Sequence, residues 1–277
     1  MEQFSFSNVF WILLFGFTLL PWIRQKKLEA ARMALIRSVE KLRGTRVITM
    51  IHRQETMALL GFPLRRYIDI EDSEQVLRAV RLTPDDMPID LVLHTPGGLV
   101  LASEQIARAL RRHPAKVTVV IPHYAMSGGT LIALAADEIL LDENAVLGPV
   151  DPQIDRYPAS SILRVLREKP IHRIDDTTIM LGDVAEKAIR QIEDSVAEIA
   201  ADRMSAEDAR QLAKKLSDGR WTHDHPLMCS TLQSMGLPVS CNIPAQIYQL
   251  MDYYPQPLRG TPSVDFVPIP YKKGNKL

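Results

Sequence analysis

Two glycine-rich turns hold the residues of this chain whose types and spacing suit nucleophilic chemistry. They are residues 94–98, with the sequence His-Thr-Pro-Gly-Gly, and residues 123–130, with the sequence His-Tyr-Ala-Met-Ser-Gly-Gly-Thr. Paired glycines allow a backbone to approach a ligand closely and to direct its N–H groups toward it. Ser127 lies at the second turn, immediately before a predicted helix, which is a favourable place for a nucleophile.

Each turn connects a short apolar strand to a helix. Strands are predicted at 89–93 and 117–121, and helices at 99–111 and 128–136. Other elements predicted before residue 158 are strands at 46–52, 67–70 and 138–141, a helix at 71–81 and a loop at 147–153. Because parallel pairing requires crossover connections, alternating strands and helices predict an α/β fold with a largely parallel sheet.

The chain after residue 158 is predicted to be mostly helical. An apolar stripe indicates a long helix over 183–203. Ser205, followed by an acidic residue at the third helical position, is typical of a helix N-terminus, and Gly219 is expected to end that helix. The proline-rich tail at 255–277 is expected to be extended or disordered.

The N-terminal segment has the character of a membrane anchor. Residues 4–23 carry no charge, and at 1.5 Å per residue a helix of this length spans about 30 Å, the thickness of a bilayer's hydrocarbon core. A cleaved signal peptide fits less well, because the start carries only Glu2 as a charge. Basic residues follow the span, which predicts a single-pass protein whose remaining chain lies in the cytoplasm.

Composition and charge are those of a globular protein without a nucleic-acid surface. The chain has 277 residues, 46% hydrophobic and 24% charged, and its formal net charge is zero. Its predicted parts are an anchor at 1–25, a connecting helix at 26–45, a catalytic domain at 46–254 and the tail. Cys229 and Cys241 could close one loop, but they do not make a disulfide framework and are interpreted as free thiols in a reducing compartment.

The order of these motifs resembles a known group of enzymes. A strand, Pro-Gly-Gly and a helix, then a strand, Met-Ser-Gly-Gly and a helix, are similar to the Clp protease/crotonase fold of repeated ββα units. Within that fold the chain resembles the membrane-anchored serine proteases related to signal peptide peptidase A, and specifically the serine dehydrogenase proteinase family. The segments similar to that family's signatures are 94–98, 122–137, 147–153 and 221–224. The resemblance runs from about residue 46 to 268 and includes the N-terminal anchor.

The resemblance implies a role for several residues of the two turns. Ser127 corresponds to the nucleophile, and backbone N–H groups of Gly98 and Gly128 correspond to the oxyanion hole, with Gly97 as an alternative in the first turn. Two fixed donors at a developing oxyanion lower a barrier by several kcal/mol. The family needs no cofactor, and no metal is expected.

The general base is not in either turn. In Clp-type enzymes a histidine would fall near residue 152, where this chain has Asp151 instead. Enzymes related to signal peptide peptidase A use a lysine, and Lys187 is the preferred candidate because its apolar helical neighbours permit the burial that lowers a lysine pKa. Asp183, one turn earlier, could instead form an ion pair with Lys187 and raise its pKa. Lys169 is a second lysine candidate.

For each histidine, a role as general base or metal ligand is compared with a structural role. His123 precedes Ser127 closely and is a weaker candidate for the base, while Asp151 is expected to support the loop or a subunit contact. The residues at 223–225, His-Asp-His, cannot easily converge on one metal ion and are expected to make structural hydrogen bonds. His52 and His94, at strand ends, are also expected to be structural.

Together these features predict a membrane-anchored serine endopeptidase with a Ser–Lys dyad. Its expected substrates are membrane-associated or unfolded polypeptides, and the resemblance implies a homo-oligomer. No nucleotide-binding loop is present in the sequence, so dependence on ATP would require a partner. Two alternatives stay open, a non-catalytic membrane scaffold with the same fold and a crotonase-type acyl-CoA enzyme.

Overall fold

A computed structural model describes residues 6–53, 57–59, 62–64 and 67–254. Within these ranges it describes the backbone, but not the side chains, of residues 6–18, 21, 57–59 and 62–64. The described α-helices are α1 (Phe6–Arg43), α2 (Ile70–Arg81), α3 (Val100–Arg111), α4 (Gly128–Leu134), α5 (Ala159–Glu168), α6 (Asp176–Ala200), α7 (Ala206–Ser217), α8 (Cys229–Ser234) and α9 (Ala245–Asp252). The described strands are β1 (Arg46–Ile51), β2 (Met57–Leu59), β3 (Phe62–Leu64), β4 (Ile89–His94), β5 (Val117–Ile121), β6 (Tyr124–Ala125), β7 (Glu138–Leu141), β8 (Val146–Leu147), β9 (Gln153–Ile154), β10 (Tyr157–Pro158), β11 (Leu227–Met228) and β12 (Val239–Ser240).

The main sheet is parallel, as the alternation of strands and helices predicts. Its order is β1-β4-β5-β7-β12, and each neighbouring pair runs in the same direction. Every residue of β4 and β5 is buried, which explains why these strands are apolar apart from Asp90, His94 and Thr118. The predicted strands at 46–52, 89–93, 117–121 and 138–141 are confirmed to within one residue at each end.

Helices cover both faces of this sheet. Side chains alternate along a strand, so Leu91 packs in the core formed with α3, α4, α6 and α7, while Val92 faces the opposite layer. In that second layer, Ile36 and Val39 of α1 and Ile247 of α9 pack on the sheet. The C-terminal part of α1, predicted as a connecting helix, therefore contributes to the hydrophobic core.

Part of the predicted anchor lies outside the residues that the structure describes. The backbone is helical from Phe6, but residues 4 and 5, and the side chains of most of the span, lie outside what the structure describes. Across the described residues, no helix combines the length and the apolar character needed to cross a bilayer. The anchor at 4–23 remains a prediction, and the predicted tail at 255–277 also lies outside the described residues.

Two predicted elements differ from the structure because capping side chains decide where helices begin. A strand at 67–70 is wrong: Ile68 makes only a single bridge to Gly98, and α2 begins at Ile70 after Asp69 caps it. The long helix predicted at 183–203 begins earlier, at Asp176, because the Asp175 side chain accepts the N–H of Thr178.

The helix predicted after Ser205 is confirmed. The Ser205 side chain accepts the backbone N–H of Asp208 at 3.1 Å, and α7 follows directly. Gly219 lies just past the end of α7 with a φ of 71°, a conformation that favours glycine.

The interpretation of the cysteines as free thiols is wrong. Cys229, at the start of α8, and Cys241, just after β12, form a disulfide with their Cα atoms 6.0 Å apart. The two residues come together because α8 folds back beside β12, where Gln233 donates to the carbonyl of Val239. The argument for a reducing compartment therefore loses its support from the cysteines.

Candidate active site

Ser127 adopts a backbone conformation that a non-glycine residue rarely takes. Its φ is 51° and its ψ is −113° at the junction of β6 and α4. Such strain persists only where the surroundings hold it, and it is frequent at reactive sites. Here Met126 N–H donates to Thr95 O at 3.0 Å, and Gly129 N–H donates to Met126 O at 2.8 Å. Ser127 thus lies on a tight strand-to-helix turn of the kind that exposes a nucleophile.

The first glycine turn approaches both Ser127 and the chain that leads into α2. Gly97 and Gly98 have φ values of 101° and 159°. A Cβ atom on Gly97 would lie 2.9 Å from Ser127 Cβ, and one on Gly98 would lie 2.3 Å from the backbone N of Ile68. The glycines are therefore needed for both conformation and close approach, as the sequence indicates.

Two backbone donors beside Ser127 have no acceptor within the described part of the chain. They are the N–H groups of Gly98 and Gly128, and both residues line the same cleft as Ser127. The N–H of Gly97 instead donates to Thr95 Oγ1 at 3.2 Å. Of the two alternatives in the first turn, the geometry therefore favours Gly98 as an oxyanion donor.

The cleft that contains Ser127 has a volume of about 250 Å³. Its polar lining residues include Asp151, Gln153 and His223. The apolar lining residues are Tyr67, Pro96, Val100, Leu131, Val150, Pro152 and Ile192. The cleft therefore combines a serine, a carboxylate and an imidazole in a mostly apolar surface.

Asp151 and His223 form a hydrogen-bonded pair in this cleft. Asp151, only 3% exposed, places Oδ1 2.7 Å from His223 Nδ1, and its Oδ2 accepts from Gln153 Nε2 at 2.6 Å. Donation of a hydrogen bond to Asp151 raises the pKa of His223 above its usual value, although burial of the ring acts in the opposite direction. A carboxylate at Nδ1 selects the tautomer that leaves Nε2 able to accept a proton.

The loop that carries Asp151 is attached to the helix that follows Ser127. Thr130 Oγ1, on α4, accepts the N–H of Gly148 at 3.1 Å and lies 2.8 Å from its carbonyl oxygen. The N–H of Val150 donates to Leu216 O, at the end of α7, at 2.9 Å. The position of Asp151 is thus fixed relative to Ser127 by backbone and hydroxyl contacts.

The structure does not bring the predicted lysines to this cleft. Lys187 is on α6, its side chain is 59% exposed, and its Nζ forms an ion pair with Asp183 at 2.5 Å. A neutral lysine base must be buried and distant from carboxylates, and Lys187 meets neither condition. Ile192, further along the same helix, lines the cleft instead. Lys169 is exposed at the C-cap of α5.

The other histidines also lie outside the cleft lining. His123 is exposed, and its ring stacks on that of His94 at 5.8 Å between centroids. His94 is fully buried, and neither ring nitrogen has a hydrogen-bond partner among the described residues. Burial, with a contribution from nearby Arg53, lowers the pKa of His94 to about 4, so its ring is neutral at ordinary pH. His225 stacks on Trp221 at 5.2 Å.

His223 is the residue whose place in the cleft the sequence argument missed. Two signals pointed toward it. The segment 221–224 resembles a family signature, and Asp151 occupies the position where a Clp-type histidine would fall. The structure connects these two signals, because His223 bonds to Asp151.

A parallel α/β sheet with a serine on a strained strand-to-helix turn places the chain in the class of ClpP-like proteins. Comparison with known families matches residues 1–276 to the ClpP-like SDH-type serine proteinases, and the chain belongs to this family. The resemblance found in the sequence is thereby confirmed.

The chain is also similar to two uncharacterized proteins of Methanocaldococcus jannaschii. One is 53% identical over 272 residues, covering 98% of this chain and 93% of the relative. The other is 50% identical over 275 residues, covering 99% and 96%. A third match, to the Na(+)/H(+) antiporter NhaA of Brucella abortus, is 27% identical over 135 residues and covers 46% of this chain but 18% of the antiporter. That short match carries no inference about transport.

Proposed function

We propose that this protein is a serine endopeptidase whose reacting residues are Ser127, His223 and Asp151. The observation that carries the proposal is the shared cleft: a serine held at positive φ lies with an imidazole that is bonded to a buried carboxylate. In this proposal His223 replaces Lys187 as the general base, and Gly98 and Gly128 supply the oxyanion donors.

The proposed reaction proceeds through an acyl-enzyme. Ser127 Oγ attacks the scissile carbonyl while His223 Nε2 takes its proton, and the N–H groups of Gly98 and Gly128 stabilise the resulting oxyanion. Collapse of the tetrahedral intermediate breaks the C–N bond, and His223 returns the proton to the leaving amine. Water, deprotonated by His223, then hydrolyses the ester and restores Ser127. Asp151 keeps its charge and stabilises the imidazolium.

We further propose polypeptide substrates, a membrane anchor at 4–23 and assembly into a homo-oligomer, with the catalytic domain in the cytoplasm. Family membership and the mostly apolar cleft support unfolded or membrane-associated chains as substrates. The uncharged span followed by basic residues supports the anchor and its orientation. Protease accessibility in sealed vesicles tests the orientation, and digestion of the catalytic domain from the non-cytoplasmic side would overturn it.

Labelling by a fluorophosphonate probe tests the proposed residues directly. The full-length protein should be labelled, Ser127→Ala should not, and His223→Ala should label at least about 100-fold more slowly because the base is lost. His225→Ala is the matched control, since it removes a neighbouring imidazole that bonds to no carboxylate of the cleft. Lys187→Ala should label at the normal rate.

Three outcomes would reject this assignment. Loss of labelling in Lys187→Ala with normal labelling in His223→Ala would restore the Ser–Lys dyad. No labelling of the unaltered protein would favour the non-catalytic scaffold, and turnover of a CoA thioester without proteolysis would favour the crotonase-type enzyme.

A further inference from the structure

We propose that His52 is a positioning residue that fixes the first glycine turn, and thereby the oxyanion donor at Gly98, by holding the hydroxyl of Thr95. This inference rests on the proposed peptidase function and adds a residue that lies outside the cleft. His52 follows β1, is 4% exposed, and its backbone N–H donates to His94 O at 2.7 Å.

Both ring nitrogens of His52 have polar partners. Nε2 lies 3.1 Å from Asp72 Oδ2, and Nδ1 lies 2.9 Å from Thr95 Oγ1. Thr95 Oγ1 in turn accepts the N–H of Gly97 at 3.2 Å. A line of three hydrogen bonds thus leads from the start of α2, through the buried imidazole, to the turn beside Ser127.

The chemistry of the end groups fixes the direction of every bond when the imidazole is neutral. A carboxylate can only accept, so the proton of His52 is on Nε2 and is donated to Asp72. Nδ1 then accepts the hydroxyl proton of Thr95, which leaves a lone pair of Oγ1 for the N–H of Gly97. Without the acceptor at Nδ1, the Thr95 hydroxyl has Gly97 O, 3.5 Å away, as its alternative partner.

Thr95 contacts both glycine turns, so its orientation affects the whole site. Its backbone pairs with the second turn, since Thr95 N–H donates to Tyr124 O at 3.2 Å and Thr95 O accepts from Met126 N–H at 3.0 Å. Its methyl group occupies the space beside Gly129, where a Cβ atom would lie 2.6 Å from Thr95 Cγ2. Rotation of Thr95 therefore disturbs contacts to the turn of Ser127 as well as to Gly97.

The same turn is held from its other side by the chain entering α2. Ile68 N–H donates to Gly97 O at 2.8 Å, and Leu99 N–H donates to Ile68 O at 2.8 Å. Asp72, the partner of His52, also forms the reciprocal cap of α2 with Asp69. The Gly97–Gly98 peptide is consequently fixed between two bonded supports, and Gly98, whose N–H has no acceptor among the described residues, lines the cleft.

Two conservative variants of His52 separate its two contacts. In His52→Asn the amide oxygen takes approximately the place of Nδ1 and can accept from Thr95, whereas in His52→Gln the amide reaches toward Asp72 and leaves Thr95 without its acceptor. If His52 acts through Thr95, His52→Gln lowers kcat by about 10- to 100-fold with KM within about twofold, because the oxyanion donor is displaced but present. His52→Asn recovers at least about 10-fold of that loss.

Thr95→Val removes the same link from its other end. It should reproduce the loss of kcat in His52→Gln, and the double variant should lose no more than either single one, since both break one chain of contacts. Thr95→Ser, which keeps the hydroxyl, should retain more activity than Thr95→Val. His113→Gln is the control, because the ring of His113 bonds to Met87 O, which precedes β4, whereas the first glycine turn follows β4.

Hydrogen exchange of the Gly97 amide provides a readout that needs no catalysis. Exchange should accelerate in His52→Gln and Thr95→Val but not in His52→Asn. Equal kcat for His52→Gln and the unaltered protein, additive losses in the double variant, or unchanged Gly97 exchange would overturn the inference. If the unaltered protein is not labelled at Ser127, the peptidase proposal fails separately, and Gly97 exchange alone decides whether His52 holds the turn.

Discussion

Replacing Asp151 by Asn is the most informative perturbation of the proposed site, because it changes one charge while keeping the shape of the side chain. Asp151 is 3% exposed and bonds to both Gln153 and His223, so its charge acts in a poorly solvated environment. An asparagine amide that donates to Nδ1 forces the proton of His223 onto Nε2, the nitrogen that is proposed to accept the proton of Ser127. The base is then in the wrong tautomer, and kcat should fall by about 10⁴-fold.

The pH dependence of activity, in the unaltered protein and in Asp151→Asn, gives a second and independent expectation. His223 must be neutral to accept a proton, and Asp151 raises its pKa above the ordinary value of about 6.5. Activity of the unaltered protein should therefore decline as the pH falls through a midpoint above 6.5. Asp151→Asn removes the cause of the raised pKa and leaves burial, which lowers it, so the midpoint should move to lower pH.

The assay is the rate of fluorophosphonate labelling between pH 5 and pH 9 at constant ionic strength, compared with Asp224→Asn. Asp224 is a charged neighbour that contributes less to the pKa of His223, so its removal should shift the midpoint less. Coincident acid limbs for Asp151→Asn and the unaltered protein would refute the pairing of Asp151 with the base. An equal shift in Asp224→Asn would show a general charge effect instead.

Folding stability should also depend on the protonation of His223. Its contribution to stability should decrease as the pH rises, whereas activity should increase. A raised pKa of His223 in the folded state stabilises the fold below the unfolded pKa, and this contribution disappears as the pH rises through the folded value. Asp151→Asn should therefore lower Tm more at pH 5.5 than at pH 8.5. An equal loss at both values would contradict the assigned direction of the pKa.

Three further expectations concern the support of the site. Gly98→Ala should destabilise the fold by at least about 2 kcal/mol, measured by urea unfolding, because its φ is positive and the added Cβ would lie 2.3 Å from neighbouring backbone; unchanged stability would contradict this. Replacing both Cys229 and Cys241 by Ser should lower stability by about 3 kcal/mol, the value for a closed loop of this length, and reductant should then have no further effect. Thr130→Val, which loses the bonds to Gly148, should slow labelling by about 10-fold while Thr130→Ser retains it.

The sheet and both glycine turns could be predicted because their signals are local. A buried parallel strand is mostly apolar, and a close backbone approach requires glycine at the contact, as Gly98 shows against Ile68. Ser127 is recognisable for the same reason, since it lies between an apolar strand and two glycines. The strand at 67–70 and the start of α6 are predicted wrongly because a capping side chain, and not the apolar pattern, decides where α2 and α6 begin.

The partner of Ser127 could not be predicted in the same way because it comes from a distant part of the chain. His223 reaches the cleft through the pairing of β11 with β8, a ladder of two residues that leaves no periodic pattern in the sequence. Lys187 has apolar neighbours within its helix, yet the side of α6 on which it lies is exposed. Likewise, the spacing of Cys229 and Cys241 contains no information on the distance between their sulfur atoms.

The small sheet of β6, β8 and β11 has a consequence for how this family can diversify. Ser127 follows β6, Asp151 follows β8, and His223 precedes β11, so one three-stranded unit sets the spacing of all three. The helices at 159–217 leave this unit and return to it, and they contact the cleft through Ile192 of α6 and through Leu216 of α7, which accepts the N–H of Val150. We therefore expect relatives that gain or lose helical turns there to differ in the apolar wall of the cleft, while the small sheet keeps the spacing of the three residues.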